Sequence, residues 1–285
     1  MMTKIREITD GDLEYAIKLT DLMNWGYSKR DFKWMIDFEP RGCFIAVDGI
    51  ERIGITTTII FKNKNHSIGW IGNVIVSPKY RLQGIASKLV EHAIDFLHGE
   101  QVDFIGLYSY LDTSKLYKGL GFEEDEHFIK LSGTGIPINF ESCRKASDED
   151  LKDIVELDSK IFGFNRKKVL DKICKESKNE CYVMISNKEI VGFLLSKRSI
   201  NDVDIGPWVC EPKYFNQSLE LLKAILNSAN GMKINMGTKA KNLTLVNNLK
   251  KMGFKIDFGV IRMFYKGKKP SMFDNFLAIE SLERG

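Results

Sequence analysis

Residues 74–89 read VIVSPKYRLQGIASKL, and this segment alone indicates a chain that mixes strands with helices. A β-branched run ends at Val76, turn-forming residues follow at Ser77–Tyr80, and Gly84 opens a run with helical spacing of its apolar positions. The apolar residues of that run are Ile85, Leu89, Ala93, Phe96 and Leu97. The segment therefore predicts a strand, a tight turn and a helix in direct succession.

The predicted start of this helix has the features of an anion site. The first turn of a helix leaves backbone N–H groups without intrahelical partners and carries the positive end of the helix dipole. Gly84 and Ala86 leave room for a phosphate to approach the backbone, and Arg81 and Lys88 add positive charge. A tight glycine-containing turn without a ligand explains the same spacing, so two interpretations stand at this point.

The chain also contains an internal repeat. The repeat partners keep one order along the chain and their spacing drifts only from 138 to 132 residues. They are Arg6-x-x-x-Asp10-x-Asp12-Leu13 with Arg144-x-x-x-Asp148-x-Asp150-Leu151, Ile71-Gly72 and Pro78-Lys79-Tyr80 with Ile205-Gly206 and Pro212-Lys213-Tyr214, and Gly121-Phe122 with Gly253-Phe254. The sequence therefore predicts two copies of one fold, over residues 1–135 and 140–285, joined near residues 132–142.

Each copy is predicted to combine helices and strands. In the first copy we expect helices up to about residue 23 and at 28–37, 84–98 and 113–119, with strands at 43–47, 53–61, 68–76, 103–108 and 127–131.

Composition bounds the classes of protein that the chain can belong to. It is 44% hydrophobic and 28% charged over 285 residues, as in ordinary globular proteins. The net charge of +4 suits an anionic small ligand and is too small for a nucleic-acid surface. No apolar run is long enough for a membrane span, the first residues do not form a signal peptide, and five scattered cysteines are typical of reduced thiols. We therefore expect a cytoplasmic protein without nucleic-acid or membrane partners.

Other catalytic patterns are missing from the sequence. His92 and His98 are six residues apart and would not face one metal on a helix. Neither a phosphate-binding G-x-x-x-x-G-K-[ST] loop nor an HExxH motif is present, so no metal site is predicted.

Arg81-Leu82-Gln83-Gly84-Ile85-Ala86 resembles the (Gln/Arg)-x-x-Gly-x-(Gly/Ala) motif of the GNAT N-acetyltransferase superfamily, which binds acetyl-CoA. Leu116–Phe122 (LYKGLGF) resembles that family's second motif, a tyrosine shortly before Gly-Phe. Ile205–Trp208 (IGPW) is similar to a segment in the second domain of tandem GNAT proteins. The resemblance implies an α/β (α+β) fold of two GNAT-like domains, each a mixed, largely antiparallel sheet flanked by helices.

The resemblance also implies roles for individual residues. The strand at 74–76 would offer backbone groups to the thioester and pantetheine of acetyl-CoA. Tyr117 stands where the family places the acid that protonates the departing thiolate, although packing under the thioester is an alternative. Ser114 would hydrogen-bond the ligand or serve the start of its helix. The implied acetyl-CoA-binding residues are Val74, Ile75, Val76, Arg81, Leu82, Gln83, Gly84, Ile85, Ala86, Ser87, Ser114 and Tyr117.

A general base is harder to assign. Several family members use a glutamate on the strand before the phosphate loop, but residues 65–77 contain no carboxylate here. His66 is the titratable side chain of that stretch, in a polar run typical of a loop. Water, or an amine that arrives neutral, would serve instead. Asp37 and Glu39 would attract an amine or simply belong to a solvated loop.

The second copy has lost both motifs. At the repeat spacing, Arg81, Gly84 and Ala86 correspond to Phe215, Ser218 and Glu220, and Tyr117 corresponds to Leu249. Glu220 is expected to repel a diphosphate. The second copy is therefore predicted to be a degenerate GNAT-like domain with a structural or acceptor-shaping role.

These observations predict an N-acetyltransferase that moves an acetyl group from acetyl-CoA to a primary amine of a small molecule or peptide. The acceptor would bind near Trp25, Tyr27 and Trp34. The alternative is a non-enzymatic acyl-CoA binding or sensing protein. We expect a monomer whose two copies form an intrachain pseudo-dimer, or a weak homodimer.

Overall fold

The computed structural model describes residues 3–176, 180–200, 202–271 and 276–285. The helices are α1 (Leu13–Leu22), α2 (Lys29–Phe38), α3 (Ile85–Gly99), α4 (Ser114–Gly119), α5 (Leu151–Phe162), α6 (Lys167–Lys175), α7 (Leu219–Ser228) and α8 (Leu243–Lys251). The strands are β1 (Thr3–Glu7), β2 (Cys43–Asp48), β3 (Glu51–Lys62), β4 (Ser67–Val76), β5 (Phe104–Tyr110), β6 (Phe122–Thr134), β7 (Arg144–Lys145), β8 (Glu180–Ser186), β9 (Glu189–Arg198), β10 (Asp202–Cys210), β11 (Lys233–Lys239), β12 (Lys255–Tyr265) and β13 (Phe276–Ala278).

The chain forms two compact units whose boundaries differ from those of the repeat. The first unit comprises the chain up to Asp125 together with Met263–Lys269 and Leu282–Gly285. The second unit comprises Glu126–Arg262 and Pro270–Ser281. Residues 126–134 of the first sequence copy thus belong to the second unit, and 263–269 of the second copy belong to the first. The division into domains at 1–135 and 140–285 stays a prediction.

The sheet of the first unit follows the order β1-β2-β3-β4-β5 and continues with the end of β12. Its pairs from β1 to β4 are antiparallel, and β4 and β5 are parallel. Helices α1 and α2 bury apolar side chains against one face, and α3 covers the other face with Ile85 and Leu89. The residues buried under α1 and α2 are Ile8, Leu13, Ala16, Leu19, Phe32, Met35, Cys43, Ile45, Ile55 and Ile75.

The second unit repeats this order with β11-β10-β9-β8-β7, in which β10 and β11 form the parallel pair. Pro78–Tyr80 and Pro212–Tyr214 form the same turn of 3-10 helix in the two units. The predicted fold class, a mixed and largely antiparallel sheet flanked by helices, is confirmed. Within the described ranges no helix is both long and apolar enough to cross a bilayer.

Strands β1, β7 and β13 were not predicted, and β6 is longer than predicted. β1 pairs along its whole length with β2, and β13 pairs with β10. β6 extends over Phe122–Thr134, well beyond the predicted strand at 127–131.

Candidate active site

The site is built on the diverging ends of β4 and β5. Their parallel register runs from Ile68 opposite Phe104 to Ile71 opposite Leu107 and stops there. Both strands continue, β4 to Val76 and β5 to Tyr110, while β3 stays paired with β4 up to Val76. In the described part of the chain, the backbone of 74–76 therefore has a strand partner on the β3 side and none from β5. This leaves an edge along which an extended ligand can lie.

A β-bulge places this edge at an angle to the rest of β4. Gly72 stands opposite Thr57 and Ile75 opposite Ile55, so two residues of β4, Asn73 and Val74, face one residue of β3. Asn73 has a left-handed φ of +52°, a conformation that asparagine tolerates better than most residues. Its buried amide donates to Thr57 Oγ1 at 3.0 Å. The sequence analysis missed Asn73, although an asparagine after a glycine inside a strand is a signal for a bulge.

The loop between β4 and α3 combines left-handed backbone with exposed residues. Leu82 and Gly84 have left-handed φ values of +62° and +78°, and Leu82 is fully exposed. Successive residues that alternate between right-handed and left-handed φ, ψ values can form a concave nest of N–H groups for an anion. The helical ladder begins where Lys88 N donates to Gly84 O at 3.1 Å, so the N–H groups of Ile85–Ser87 precede it. The predicted phosphate loop thus has left-handed backbone at two positions and, at the start of α3, three N–H groups that precede the helical ladder.

The side chains of the loop are placed differently from what its charge suggested. Arg81 Nε donates to Val76 O at 3.0 Å, so the guanidinium holds the end of β4 beside the loop. Gln83 donates to Lys79 O at 3.4 Å, and Lys88 is exposed on the first turn of α3. An anion at this loop would be held chiefly by backbone N–H groups and the dipole of the fifteen-residue α3.

Tyr117 and Ser114 lie on the short helix α4. Tyr117 is 8% exposed and its ring meets Phe122 edge to face, with centroids 6.2 Å apart. Burial raises the pKa of the Tyr117 phenol to about 12, which keeps it protonated at every physiological pH. Ser114 is buried, and its hydroxyl donates to the carbonyl of Leu111, three residues earlier, at 3.0 Å.

The other residues singled out in the sequence fall into two groups. His66 lies in the β3–β4 turn, 56% exposed, at the opposite end of β4 from the bulge. Trp25 lies between α1 and α2 and donates to Tyr110 Oη of β5 at 3.2 Å, while its ring centroid is 6.2 Å from that of Tyr27. The structure therefore brings the α1–α2 aromatic residues to the diverging end of β5 and leaves His66 away from it.

The corresponding loop in the second unit has a different backbone conformation. Phe215 and Ser218 have right-handed φ values of −50° and −66°, and the Ser218 hydroxyl donates to Phe215 O at 2.7 Å. Glu220 accepts from Glu141 N at 2.7 Å and from Lys223 Nζ at 2.6 Å. These two donors offset the charge of Glu220, which was expected to repel a diphosphate. The loop of the second unit therefore differs from that of the first mainly in its backbone conformation.

The diverging strands of the second unit are filled by the chain itself. The register of β10 with β11 stops at Ile205 opposite Met236, as in the first unit. β13 then pairs with β10 at Trp208 and Val209, the positions that correspond to Val74 and Ile75. On its other side, Thr238 of β11 donates to Leu277 O at 2.6 Å and Ile279 N donates to Gly237 O at 3.0 Å. A buried strand thus occupies the place that stands open beside β4.

Over the residues that the structure describes, no group of three or more His, Cys, Asp or Glu side chains is arranged to hold a metal ion.

The open strand edge and the helix start beside it lie in a segment that matches a known protein family. Residues 12–122 match the model of the acetyltransferase (GNAT) family, and residues 154–275 match an acetyltransferase (GNAT) domain model. The chain belongs to the GNAT acetyltransferase family, with one GNAT domain in each half.

The chain is similar to several relatives and solved structures, to some of them over nearly its whole length. The chain is 23% identical over 267 residues to the holothin acyltransferase of Pseudoalteromonas sp. (strain SANK 73390). The aligned region covers 92% of this chain and 87% of that protein. It is 34% identical over 127 residues to N-alpha-acetyltransferase 30 of Saccharomyces cerevisiae, over 41% of this chain and 66% of that protein. A crystal structure of a putative acetyltransferase from Pyrococcus horikoshii has the same fold, with a TM-score of 0.83 at 20% identity over 99% of this chain and 96% of that one. A tandem GNAT protein from the clavulanic acid biosynthesis pathway has a TM-score of 0.66 at 11% identity, over 95% of this chain and all of that one.

Proposed function

We propose that the first unit transfers an acetyl group from acetyl-CoA to a primary amine. The observation that carries this proposal is the open edge of β4 at Val74–Val76, directly followed by the left-handed backbone of Leu82 and Gly84 at the start of α3. A coenzyme A ester needs both features, since it has an anionic diphosphate at one end and an amide-containing extended arm at the other. We assign the diphosphate to the N–H groups of the loop and the arm to the β4 edge.

The reaction is acyl transfer from sulfur to nitrogen. The amine lone pair forms a C–N bond to the thioester carbonyl carbon, and the C–S bond breaks with its electron pair on sulfur. Tyr117 gives its phenolic proton to that sulfur. With a pKa of about 12, the Tyr117 phenol is a weaker acid than a thiol in water. Burial also raises the pKa of the thiol that is leaving, because it disfavours the charged thiolate, so the proton transfer stays feasible. The proton that the attacking nitrogen loses as the amide forms restores the phenol through water.

The names of the relatives suggest two acceptors to test first. One relative is named for holothin and the other for N-alpha acetylation, so holothin and a peptide with a free α-amino group are the first probes. The α1–α2 segment around Trp25 and Tyr27 reaches the diverging end of β5 and is our candidate for the acceptor-binding wall. We further propose that the chain works as a monomer in the cytoplasm, where its free cysteine thiols stay reduced.

Coenzyme A release in the presence of an amine panel tests the proposal. The wild-type chain is incubated with acetyl-CoA and holothin, an α-amino peptide or spermidine, and the liberated thiol is measured. Tyr117→Phe keeps the ring and removes the proton, so kcat should fall by about 10²–10⁴-fold while the Kd for acetyl-CoA stays constant. Tyr182→Phe, which alters a buried tyrosine of the second unit, is the control and should leave both values unchanged.

Three results would change the interpretation. Binding of acetyl-CoA without thiol release for any amine would favour the non-enzymatic acyl-CoA sensor. Absence of acetyl-CoA binding would reject the proposed function altogether. Turnover by Tyr117→Phe within a factor of a few of the wild-type rate would make Tyr117 a packing residue.

A further inference from the structure

The segment Leu282–Gly285 belongs to the first unit and lies directly on the β4 bulge. A Cβ atom placed on Gly72 would be 2.5 Å from Glu283 Cβ and 2.7 Å from Glu283 Cα. Only a glycine at position 72 leaves room for this approach, because real Cβ atoms do not come so close to backbone or Cβ atoms. Gly72 and Glu283 are far apart in the sequence, so no local pattern predicts their contact.

The segment covers the face of β4 that lies opposite α3. Along β4, Trp70 and Gly72 point to one face and Gly69 to the other, where a Cβ on Gly69 would be 2.6 Å from Leu97 of α3. On the face of Gly72, the Arg284 guanidinium stands 4.9 Å from the ring centroid of Trp34 in α2. Glu283 therefore lies on the α2 side of the bulge. With α3 and its loop occupying the other face, this is the side from which an acceptor amine reaches a thioester held at β4.

Glu283 supplies the functional group that β4 itself does not have. Residues 65–77 contain no carboxylate. The Glu283 side chain is 11% exposed, and its Oε1 accepts from Arg284 Nη1 at 2.8 Å. A carboxylate accepts about four hydrogen bonds, so the bond to Arg284 leaves capacity for a second donor. A largely dehydrated carboxylate attracts a cation more strongly than one in bulk water, and the charge of Arg284 offsets only part of this attraction for an ammonium group.

We propose that Glu283 is the carboxylate of the acceptor site, which binds a cationic primary amine beside the bulge and takes its proton before attack. This inference rests on the proposed acetyl transfer. The ammonium gives one proton to the Glu283 carboxylate, the freed lone pair forms the C–N bond, and the C–S bond breaks. Sulfur takes the Tyr117 proton, the second amine proton restores Tyr117 through water, and Glu283 releases its proton to solvent. The sum is amide, free thiol and one proton.

Glu283→Gln tests the proposal with two kinds of amine. The acceptor probes are spermidine, which is cationic at neutral pH, and aniline, which is uncharged there. We expect kcat/KM for the cationic probe, or for whichever cationic amine of the panel the wild type acetylates, to fall at least tenfold. The fall for aniline should be much smaller, and the Kd for acetyl-CoA should not change. Glu283→Asp keeps the charge and should restore part of the loss.

Glu280→Gln is the matched control. Glu280 is also a buried, ion-paired carboxylate of this part of the chain, bound to Lys197 Nζ at 2.7 Å, but it belongs to the second unit. It should leave the ratio of the two kcat/KM values at its wild-type level. An equal fall in kcat/KM for charged and neutral amines in Glu283→Gln would show that Glu283 has a structural role. A rise in kcat/KM would show that the segment 282–285 blocks the acceptor site. Either result overturns the proposal. A wild-type chain that transfers no acetyl group rejects the proposed function instead.

Discussion

Asp12 and Asp150 hold the same kind of arginine pair in the two copies. The Asp12 carboxylate accepts from both terminal nitrogens of Arg6, at 2.7 and 2.9 Å, and Asp150 accepts in the same way from Arg144, at 2.6 and 2.8 Å. Asp12 has in addition a bond from Arg52 Nε at 2.6 Å. The motif Arg-x-x-x-Asp-x-Asp, which revealed the repeat in the sequence, is thus a bidentate ion pair that ties a strand to the start of a helix.

Asp12→Asn is expected to lower the free energy of unfolding by about 3 kcal/mol, because it removes a buried charge from two arginines. Asp150→Asn is the matched control in the second unit. Its cost should be smaller by about 1 kcal/mol, since the bond to Arg52 is particular to Asp12. Urea denaturation followed by fluorescence measures both losses, and equal losses would show that Arg52 adds no stability.

The ion pair of Asp12 with its two arginines also determines how the free energy of unfolding changes with pH. Arg6 and then Arg52 hold the pKa of Asp12 well below its usual range. The unfolded chain therefore binds the proton more tightly, with a pKa of about 3.9, so the stabilisation is complete well above that pH and is lost as the pH falls below it. Wild-type stability should fall more steeply on acidification than that of Asp12→Asn. Parallel curves would contradict the assigned pKa shift.

At the scale of the elements, the start of α3 depends on the backbone conformation of Gly84. Its φ is +78°, and a Cβ placed there would meet nothing within 4 Å, so the conformation rather than the space requires glycine. Gly231, between α7 and β11 in the second unit, has the same φ and the same open surroundings. The two glycines therefore differ in location and not in local strain.

Gly84→Val should raise the Kd for acetyl-CoA at least tenfold, about 1.4 kcal/mol, because a β-branched residue shifts φ and turns the N–H groups of the loop away from the diphosphate. Gly231→Val should cost similar stability and leave the Kd unchanged. Isothermal titration calorimetry measures both values. A wild-type Kd in the folded Gly84 variant would remove this loop from the binding site.

Elements with a strong local pattern were predictable, and those held by distant partners were not. The helix of α3 and the strand of β4 follow from periodicity, and the turn between them follows from Ser77–Tyr80. β1 reads TKIRE, with one apolar residue, and forms because β2 offers an edge; β13 has three residues and forms between two diverging strands. The loop at 81–87 was predicted as a motif, whereas Glu283 reached the candidate site only through tertiary packing.

At the scale of the whole molecule, the two units offer the same pair of diverging strands with different neighbours. In the first unit, Val74–Val76 has no strand on its β5 side within the described residues, and the loop that follows has left-handed backbone at two positions. In the second unit, Phe276–Ala278 forms hydrogen bonds or strand pairs with both β10 and β11, and the loop is right-handed. The second unit therefore both lacks the Arg-x-x-Gly-x-Ala motif and has β13 in the space between its diverging strands.

This difference predicts one acetyl-CoA per chain. A ligand arm entering the second unit would have to displace β13, whose three residues and the next two are all buried. Burying a large apolar side chain contributes about 1.5–3 kcal/mol, so expelling Phe276 and Leu277 alone would cost several kcal/mol, more than a hundredfold in affinity. Calorimetric titration of the wild-type chain should give a stoichiometry of one, and that single site should weaken in Gly84→Val and persist in Gly231→Val. A stoichiometry of two would mean that β13 leaves its groove in solution, and a site that survives Gly84→Val would place acetyl-CoA in the second unit.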